Sequence, residues 1–344
     1  MLTKPEPAST ATLKVPAVAS AAAADPGRPG PRLGSLREAG LLLIIAAMCV
    51  AMSFASPYFL TWDNVRAMLL SFSIEGIVVV GMTVLLIVGG IDLAVGSVVC
   101  FAMVVTGKLF LMGMDPWTAS LIAIFCCALI GAMIGGCVTG IGLSHFIASL
   151  AFMVIVRGLS LALTQGTPQS LFTLPPEFKY IGQGTLGGIP VVILIFAFIV
   201  IVSDFALRRA TLLRKVFYTG SNEKAALYSG IRTGHVKFWV TVLCSTMAGV
   251  AGVIYTARFG AATPTFGVGM ELNVIAAVVI GGASLKGGSG TVLGAVLGLA
   301  LLSVVTSSLI LLDVSPYWQD VIKGLILLGA VTVDHFMNVK KAKR

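Results

Sequence analysis

Residues 89–97 read GGIDLAVGS, and residues 281–289 read GGASLKGGS. Both stretches fit the pattern Gly-Gly-x-x-Leu-x-x-Gly-Ser, and each joins two apolar segments that are too hydrophobic for a soluble protein. Glycine lets the backbone leave helical geometry, so each stretch predicts a break between two helices. Matching breaks in the two halves of a membrane chain are typical of an internal repeat that surrounds a transport path.

The composition of the whole chain indicates a membrane protein. Its 344 residues are 57% hydrophobic and 11% charged, whereas a soluble domain carries about 25% charged residues. A spanning helix needs ~20 mostly apolar residues, and about ten segments of this chain meet that condition. We therefore predict an all-α polytopic membrane protein. The expected spans are 40–57, 72–90, 96–113, 117–140, 146–165, 189–207, 238–256, 271–286, 291–312 and 317–336.

The basic residues predict how the chain sits in the membrane. The net charge of +9 is concentrated in the N-terminal tail, in segment 208–237 and in the C-terminal tail, while the connections 166–188 and 257–270 contain little Lys or Arg. Basic connections face the cytoplasm, and an even number of spans places both termini there. This distribution favours membrane anchoring over a nucleic-acid surface, so lipid is an expected partner and nucleic acid is not.

The same features divide the chain into three parts. Residues 1–36 are rich in Ala, Pro, Ser and basic residues without a hydrophobic period, which predicts a disordered cytoplasmic tail. Residues 37–338 form the predicted transmembrane domain, which includes the cytoplasmic loop 208–237. Residues 339–344 form a short basic cytoplasmic tail.

Several polar residues lie within the apolar segments, where a charge costs ~2.5–3.5 kcal/mol at a helix centre. Arg157 stays charged, so it must face the bundle and find a carboxylate or backbone carbonyls. Glu271 is expected to cap the start of a helix. The candidates for a translocation path or a helix break are Gly89, Gly90, Asp92, Ser97, Arg157, Glu271, Gly281 and Gly282. Packing within the bundle explains the presence of Arg157 at least as well as contact with a solute does.

The depth of the two glycine stretches stays open at this point. They suit tight turns at the cytoplasmic surface as well as breaks inside the membrane, where a free backbone must lie against protein or a water-filled cavity. Three groups of spaced glycines predict close helix packing instead of a pore. They are Gly131-x-x-x-Gly135, Gly136-x-x-x-Gly140 and Gly290-x-x-x-Gly294-x-x-x-Gly298.

The basic loop contains a second distinctive pattern. Residues 218–231 read YTGSNEKAALYSGI, which predicts a short helix capped by Ser221 or Asn222 and ended by Gly230. A small-residue helix on the cytoplasmic side suits a docking surface, although the charges alone fit an ordinary anchoring loop.

The chain lacks the residues that other functions require. The six cysteines lie in apolar segments without metal-ligand spacing, so they predict packing and neither a disulfide nor a metal site. The three histidines are dispersed, which argues against a membrane-embedded enzyme. The phosphate-binding pattern Gly-x-x-x-x-Gly-Lys-Ser/Thr is absent from the sequence, so any ATP hydrolysis must come from another protein.

Five groups of residues, in order along about 40–336, resemble the ribose/galactoside-type sugar permease family of bacterial ABC importers. The resembling stretches are 81–97, 146–150 with 157–159, 220–231, 271–272 with 275–282, and 317–320 with 323–324. Two departures are Ala94, where family members often have Ser, and the order Glu-Lys-Ala-Ala at residues 223–226 in place of Glu-Ala-Ala.

The resemblance implies a type II ABC importer-like permease in the bacterial inner membrane. Two such permease chains pair, as a homodimer or a heterodimer, and a periplasmic solute-binding protein delivers a sugar to them. Each chain docks a cytoplasmic ABC ATPase, which binds the ATP, so the permease itself needs no cofactor and is not an enzyme. The docking residues that the resemblance assigns are Asn222, Glu223, Ala225, Ala226, Ser229 and Gly230. The residues alone also permit an ion-coupled secondary transporter, with Asp92 or Glu75 as the coupling carboxylate.

Overall fold

The computed structural model describes residues 33–342. The predicted tail 1–36 therefore lies outside the described residues except for its last part, where residues 33–36 are helical. Within the predicted tail 339–344, residues 339–342 continue the last helix.

The described chain is built almost entirely from helices. They are α1 Leu33–Ala55, α2 Trp62–Ile87, α3 Val95–Leu111, α4 Pro116–Gly136, α5 His145–Thr164, α6 Pro176–Gln183, α7 Val191–Arg209, α8 Thr211–Ser221, α9 Glu223–Tyr228, α10 Thr233–Phe259, α11 Met270–Ile280, α12 Val292–Leu311 and α13 Pro316–Ala342. A turn of π-helix, Cys137–Ile141, extends α4.

Four two-residue strands complete the described structure: β1 Gln169–Ser170, β2 Thr185–Leu186, β3 Ile189–Pro190 and β4 Ala261–Ala262. β1 pairs antiparallel with β4, and β2 pairs antiparallel with β3.

Among residues 33–342, seven helices are long and apolar enough to cross a membrane: α1, α2, α4 with its extension, α5, α7, α10 and α12. Two apolar helices are shorter, α3 with 17 residues and α11 with 11. At 1.5 Å per residue α11 is about 16 Å long, roughly half of a ~30 Å hydrocarbon core. The expected span 271–286 is therefore wrong at its end, because α11 stops at Ile280. The total of about ten spans and the internal repeat stay predictions.

The helices define two ends of the bundle. The strand end holds β1–β4, where the Gln183 side chain donates to the Arg258 carbonyl at 2.8 Å. The break end holds the two glycine stretches, and there the Thr291 hydroxyl of α12 donates to Glu38 of α1 at 3.0 Å. α8 and α9 also lie at the break end, because Gly220 of α8 contacts Ile87, the last residue of α2, and Gly288, which follows α11.

Close helix packing depends on glycines, as the sequence predicts for two of the three groups. A Cβ at Gly131 would lie 2.8 Å from Ser245 of α10, and one at Gly135 would lie 3.1 Å from Phe238. Gly136 and Gly140 have no neighbour within 4 Å among the described residues. A methyl added at either position would therefore enter open space.

The tightest contact joins α11 and α12. Gly294 and Gly298 of α12 face Gly281 and Ala277 of α11, and a Cβ at Gly298 would overlap the Ala277 carbonyl oxygen. Gly290, the first residue of that predicted group, precedes α12 and has φ +156°. The backbones thus approach as closely as small-residue packing allows in a membrane.

We expect Gly298→Ala to destabilise the protein by about 1–3 kcal/mol, because the added methyl meets backbone atoms that cannot move aside. The measurement is the thermal denaturation midpoint of the purified chain in detergent. Gly136→Ala is the matched control, since its methyl enters open space and should not lower the midpoint. Equal midpoints for the two variants would contradict this account of α11–α12 packing.

Candidate functional site

The first glycine stretch ends α2 with a left-handed residue. The Gly89 N–H donates to the Leu86 carbonyl and the Gly90 N–H to the Leu85 carbonyl, both at 2.9 Å. Gly89 has φ +86°. These bonds form a Schellman cap, which satisfies carbonyls that a helix end leaves free. Because a side chain would be strained at this φ, Gly89 determines where α2 stops.

Asp92 lies in the extended segment that follows. It is 1% exposed, its Oδ1 accepts from the Ala94 N–H at 2.7 Å, and its Oδ2 is buried without a hydrogen-bond partner. The Ser149 hydroxyl of α5 accepts from the Leu93 N–H at 3.1 Å and donates to the Ile91 carbonyl at 3.3 Å. Ser149 lies about 6 Å into α5. Asp92 and the backbone beside it are therefore held by buried protein groups.

The second glycine stretch repeats these local features one residue out of register. Gly282, with φ +105°, donates to the Val279 carbonyl at 3.0 Å. It therefore takes the part of Gly89, although the sequence pattern aligns Gly89 with Gly281. The next polar contact is in register with the first stretch. The Ser284 hydroxyl accepts from the Lys286 N–H at 3.2 Å, just as Asp92 accepts from the N–H of the residue two positions after it.

The two breaks meet each other and the end of α8 at one place. The Gly288 N–H donates to the Ile87 carbonyl at 2.8 Å. A Cβ at Gly220 of α8 would overlap that same carbonyl, and a Cβ at Gly287 would lie 2.9 Å from the Gly220 carbonyl and 3.0 Å from Gly89. We call these four glycines, together with the Ile87 carbonyl, the glycine junction. Three distant parts of the chain touch here mainly through backbone atoms, and the Ser221 hydroxyl also donates to the Gly288 carbonyl at 3.5 Å.

The predicted short helix follows directly after this junction. The Asn222 side chain caps α9 by accepting from the Ala225 N–H at 3.0 Å, and Gly230, with φ +80°, ends it. Glu223 forms an ion pair with Lys237 of α10 at 2.6 Å, with its side chain 50% exposed. An exposed pair of this kind contributes up to about 1 kcal/mol, so it orients α9 more than it stabilises the protein.

The residues of α9 face two directions. Ala226 is buried against the bundle, whereas Ala225 and Ser229 are exposed. Tyr228 is 89% exposed and Leu227 is 58% exposed. Sequence reasoning assigned docking to the small residues of this helix and missed the two large apolar ones. Both are exposed because Ala226 packs against the bundle, which turns the side of α9 that carries Leu227 and Tyr228 outward.

Arg157 lies away from the glycine junction. Its guanidinium donates to the Phe266 carbonyl at 2.6 Å and to the Pro264 carbonyl at 3.3 Å, which confirms backbone carbonyls as its partners. Arg157 lies about 18 Å along α5 from the break end. The connection between α10 and α11 therefore dips into the bundle from the strand end, and Arg157 holds it there.

Glu271 and Ser97 lie beside this connection, at the starts of α11 and α3. Glu271 Oε1 accepts from the Gly269 N–H at 3.3 Å, which confirms the predicted cap. A Cβ at Gly96 would contact the Gly267 carbonyl and the Glu271 carboxylate. The Ser97 hydroxyl is buried without a hydrogen-bond partner. The sequence-predicted residues thus form two groups, the glycine junction with its caps and a deeper group around residues 264–271.

A cavity of about 300 Å³ lies between α2, α11, α12 and α13. Sequence reasoning considered Glu75 only as an ion-coupling carboxylate, and the structure places it on the wall of this cavity together with Asn273 and Lys323. Residues so far apart along the chain give no local sequence signal.

Comparisons with known proteins identify the family. A family model described as "Branched-chain amino acid transport system / permease component" matches residues 64–331. The chain belongs to this permease family. No solved structure matches it.

The similar curated proteins are sugar permeases. The ribose import permease of Bacillus subtilis is 34% identical over 88% of this chain and 94% of that protein. The ribose import permease of Escherichia coli K12 is 35% identical over 87% of this chain and 94% of that protein. The Escherichia coli L-arabinose transport permease is 32% identical over 89% of this chain and 92% of that protein. The predicted resemblance to sugar ABC permeases is thus confirmed, and nothing in the comparisons supports ion coupling.

We expect Gly220→Ala to impair transport, because the methyl would separate α8 from the Ile87 carbonyl and disturb both breaks at once. The measurement is solute uptake by cells that carry the variant, normalised to the amount of protein in the membrane, with a loss of at least tenfold expected. Gly234→Ala is the control, since its methyl would have only Thr139 nearby at 3.8 Å. Normal uptake by Gly220→Ala would show that the junction tolerates separation.

Proposed function

We propose that this chain is the membrane-spanning permease subunit of an ATP-driven importer, which carries a sugar or sugar-like solute across the bacterial inner membrane. Family membership and the nearly full-length similarity to ribose and arabinose permeases support the proposal. One structural observation gives it a mechanism: the short helix α9 follows directly from α8, which contacts both helix breaks at Gly220.

The proposed topology has ten spans, with α3, α11 and α13 added to the seven long helices, and an internal repeat marked by the two breaks. The termini and the break end face the cytoplasm, and the strand end faces the periplasm. The basic residues of α7, α8 and α10 at the break end support this orientation. So does Trp62, which begins α2 at the opposite end and is 61% exposed, as expected in an interfacial belt.

The proposed partners are a cytoplasmic ABC ATPase at α9, a periplasmic binding protein at the strand end and a second permease subunit. A groove of about 420 Å³ beside α8 and α9 supports ATPase docking there, and its wall includes Tyr218, Asn222, Ala225 and Ser229. Exposed tyrosines such as Tyr218 and Tyr228 suit such a contact, because aromatic side chains dominate interface energetics. The partner binds the ATP, and this chain carries no cofactor of its own.

The proposed mechanism follows from the contacts that join α9, α8 and the two helix breaks. When the partner ATPases close, they displace α9, and α8 transmits the movement to the glycine junction. The ends of α2 and α11 then shift together, because the Gly288 N–H holds the Ile87 carbonyl. Both breaks are short non-helical segments that can absorb changes in backbone angle, as hinges do. Access to the path then alternates between the two sides of the membrane.

The proposal predicts that uptake requires ATP and the partner ATPase. Proteoliposomes that contain the permease and its ATPase, with the binding protein outside and ATP inside, should accumulate radiolabelled sugar. Vanadate should stop this accumulation, and a protonophore should leave it unchanged. Uptake by the permease alone, driven by an ion gradient, would refute the proposal.

A second prediction concerns the docking face. We expect Tyr228→Ala to reduce the amount of ATPase that co-purifies with an affinity-tagged permease by at least fivefold, because it removes the most exposed aromatic side chain of α9. Tyr58→Ala is the matched control, since Tyr58 is 68% exposed and lies at the strand end. Equal retention of the ATPase by both variants would place the docking surface elsewhere.

A further inference from the structure

The cavity between α2, α11, α12 and α13 has an unusual lining for a membrane bundle. Its wall carries polar side chains from all four helices: Ser71, Glu75, Asn273, Ser303, Thr306 and Lys323. Two of them are charged, Glu75 and Lys323, and a charge inside a membrane bundle requires a partner or a function. Glu75 lies about halfway along α2.

Few of the polar side chains on this wall satisfy one another. Among the described residues, the Ser307 hydroxyl donates to the Asn64 amide oxygen at 3.1 Å. Glu75 Oε1 is buried without a hydrogen-bond partner. No other described residue forms an ion pair with Glu75, and Lys323 has only a 3.7 Å contact with Asp320, whose side chain is 83% exposed. A buried acceptor without a partner is costly, so a donor that reaches it is favoured. The cavity therefore holds several donors and acceptors that a polar occupant could satisfy.

The cavity lies in the half of the bundle that reaches the strand end. Glu75 marks its inner limit near the middle of α2, and its outer wall includes Asn64 near the start of α2 and Ile310 near the end of α12. At about 300 Å³ it is at the lower limit of the usual size of small-molecule sites. In the proposed orientation its outer wall lies on the side from which a binding protein delivers solute.

The charges on the wall indicate the class of occupant. One carboxylate and one ammonium group cancel, so the wall favours neither a cation nor an anion. The amide of Asn273 and the hydroxyls of Ser71, Ser303 and Thr306 both donate and accept hydrogen bonds. A neutral polyhydroxylated solute matches this set, because each of its hydroxyls also donates and accepts.

We infer that this cavity is the solute-contacting site of the permease, in which Glu75 and Asn273 bind the hydroxyls of a neutral sugar. The inference rests on the proposed function. It also assigns a role to Glu75 that needs no ion coupling, since the carboxylate accepts hydrogen bonds from the solute while Lys323 balances its charge.

The test uses the complete importer in proteoliposomes, with radiolabelled D-ribose, D-allose and L-arabinose as separate solutes. We expect Glu75→Gln to lower the uptake efficiency of the preferred sugar at least tenfold, and Asn273→Ala to change the ratio of efficiencies between the sugars. ATP hydrolysis stimulated by the binding protein should stay within twofold of the unmodified protein. Asp313→Asn removes an exposed carboxylate from the turn after α12 and should leave uptake unchanged.

Two outcomes overturn the inference. Either Glu75→Gln and Asn273→Ala leave all three uptake rates within twofold, or they lower all three equally and abolish stimulated ATP hydrolysis, which indicates a structural role. ATP-independent uptake by the unmodified importer would instead refute the proposed function.

A second measurement does not depend on which sugar is carried. Ser303→Cys, in the assembled importer, should react with a membrane-impermeant thiol reagent added from the side of the binding protein. Ser245→Cys, buried at the contact between α4 and α10, should remain unlabelled, and the unmodified chain provides the background. Failure of Ser303→Cys to react would show that water does not reach the cavity and would overturn the inference.

Discussion

The hydrogen bond between the Gly288 N–H and the Ile87 carbonyl, at 2.8 Å, is the contact on which the arrangement of this bundle depends. It joins the end of α2 to the segment after α11, although the two are far apart in sequence. Gly220 of α8 packs onto the same carbonyl. Most of these contacts join backbone atoms and require glycine, and the Ser221 side chain also reaches Gly288. Movement of any one of the three segments must therefore displace the other two.

The other features of the break end support this contact. Schellman caps fix where α2 and α11 stop, and Asp92 holds the extended segment through the Ala94 N–H. Ser149 ties the same segment to α5. The buried backbone of the breaks is thus satisfied by protein groups. Among the described residues of the break end, Leu227 and Tyr228 of α9 are exposed and take no part in those bonds.

The sequence predicts local features well and long-range contacts poorly. Glycine pairs, the Asn222 cap and the Glu271 cap all follow from rules that span a few residues. The pattern could not show that Gly282, and not Gly281, takes the left-handed conformation, because both positions are glycine. The short length of α11 was missed, because the expected span was extended into the glycine stretch to approach the ~20 residues that a spanning helix needs. Gly220 and the wall around Glu75 depend on contacts between segments that only the folded chain brings together.

Arg157 has a consequence for the strand end. Its guanidinium, carried by α5, holds two carbonyls of the connection between α10 and α11. A shift of α5 along its axis would therefore draw this connection with it. One side chain thus makes a helix and a distant segment of the chain move as a single piece.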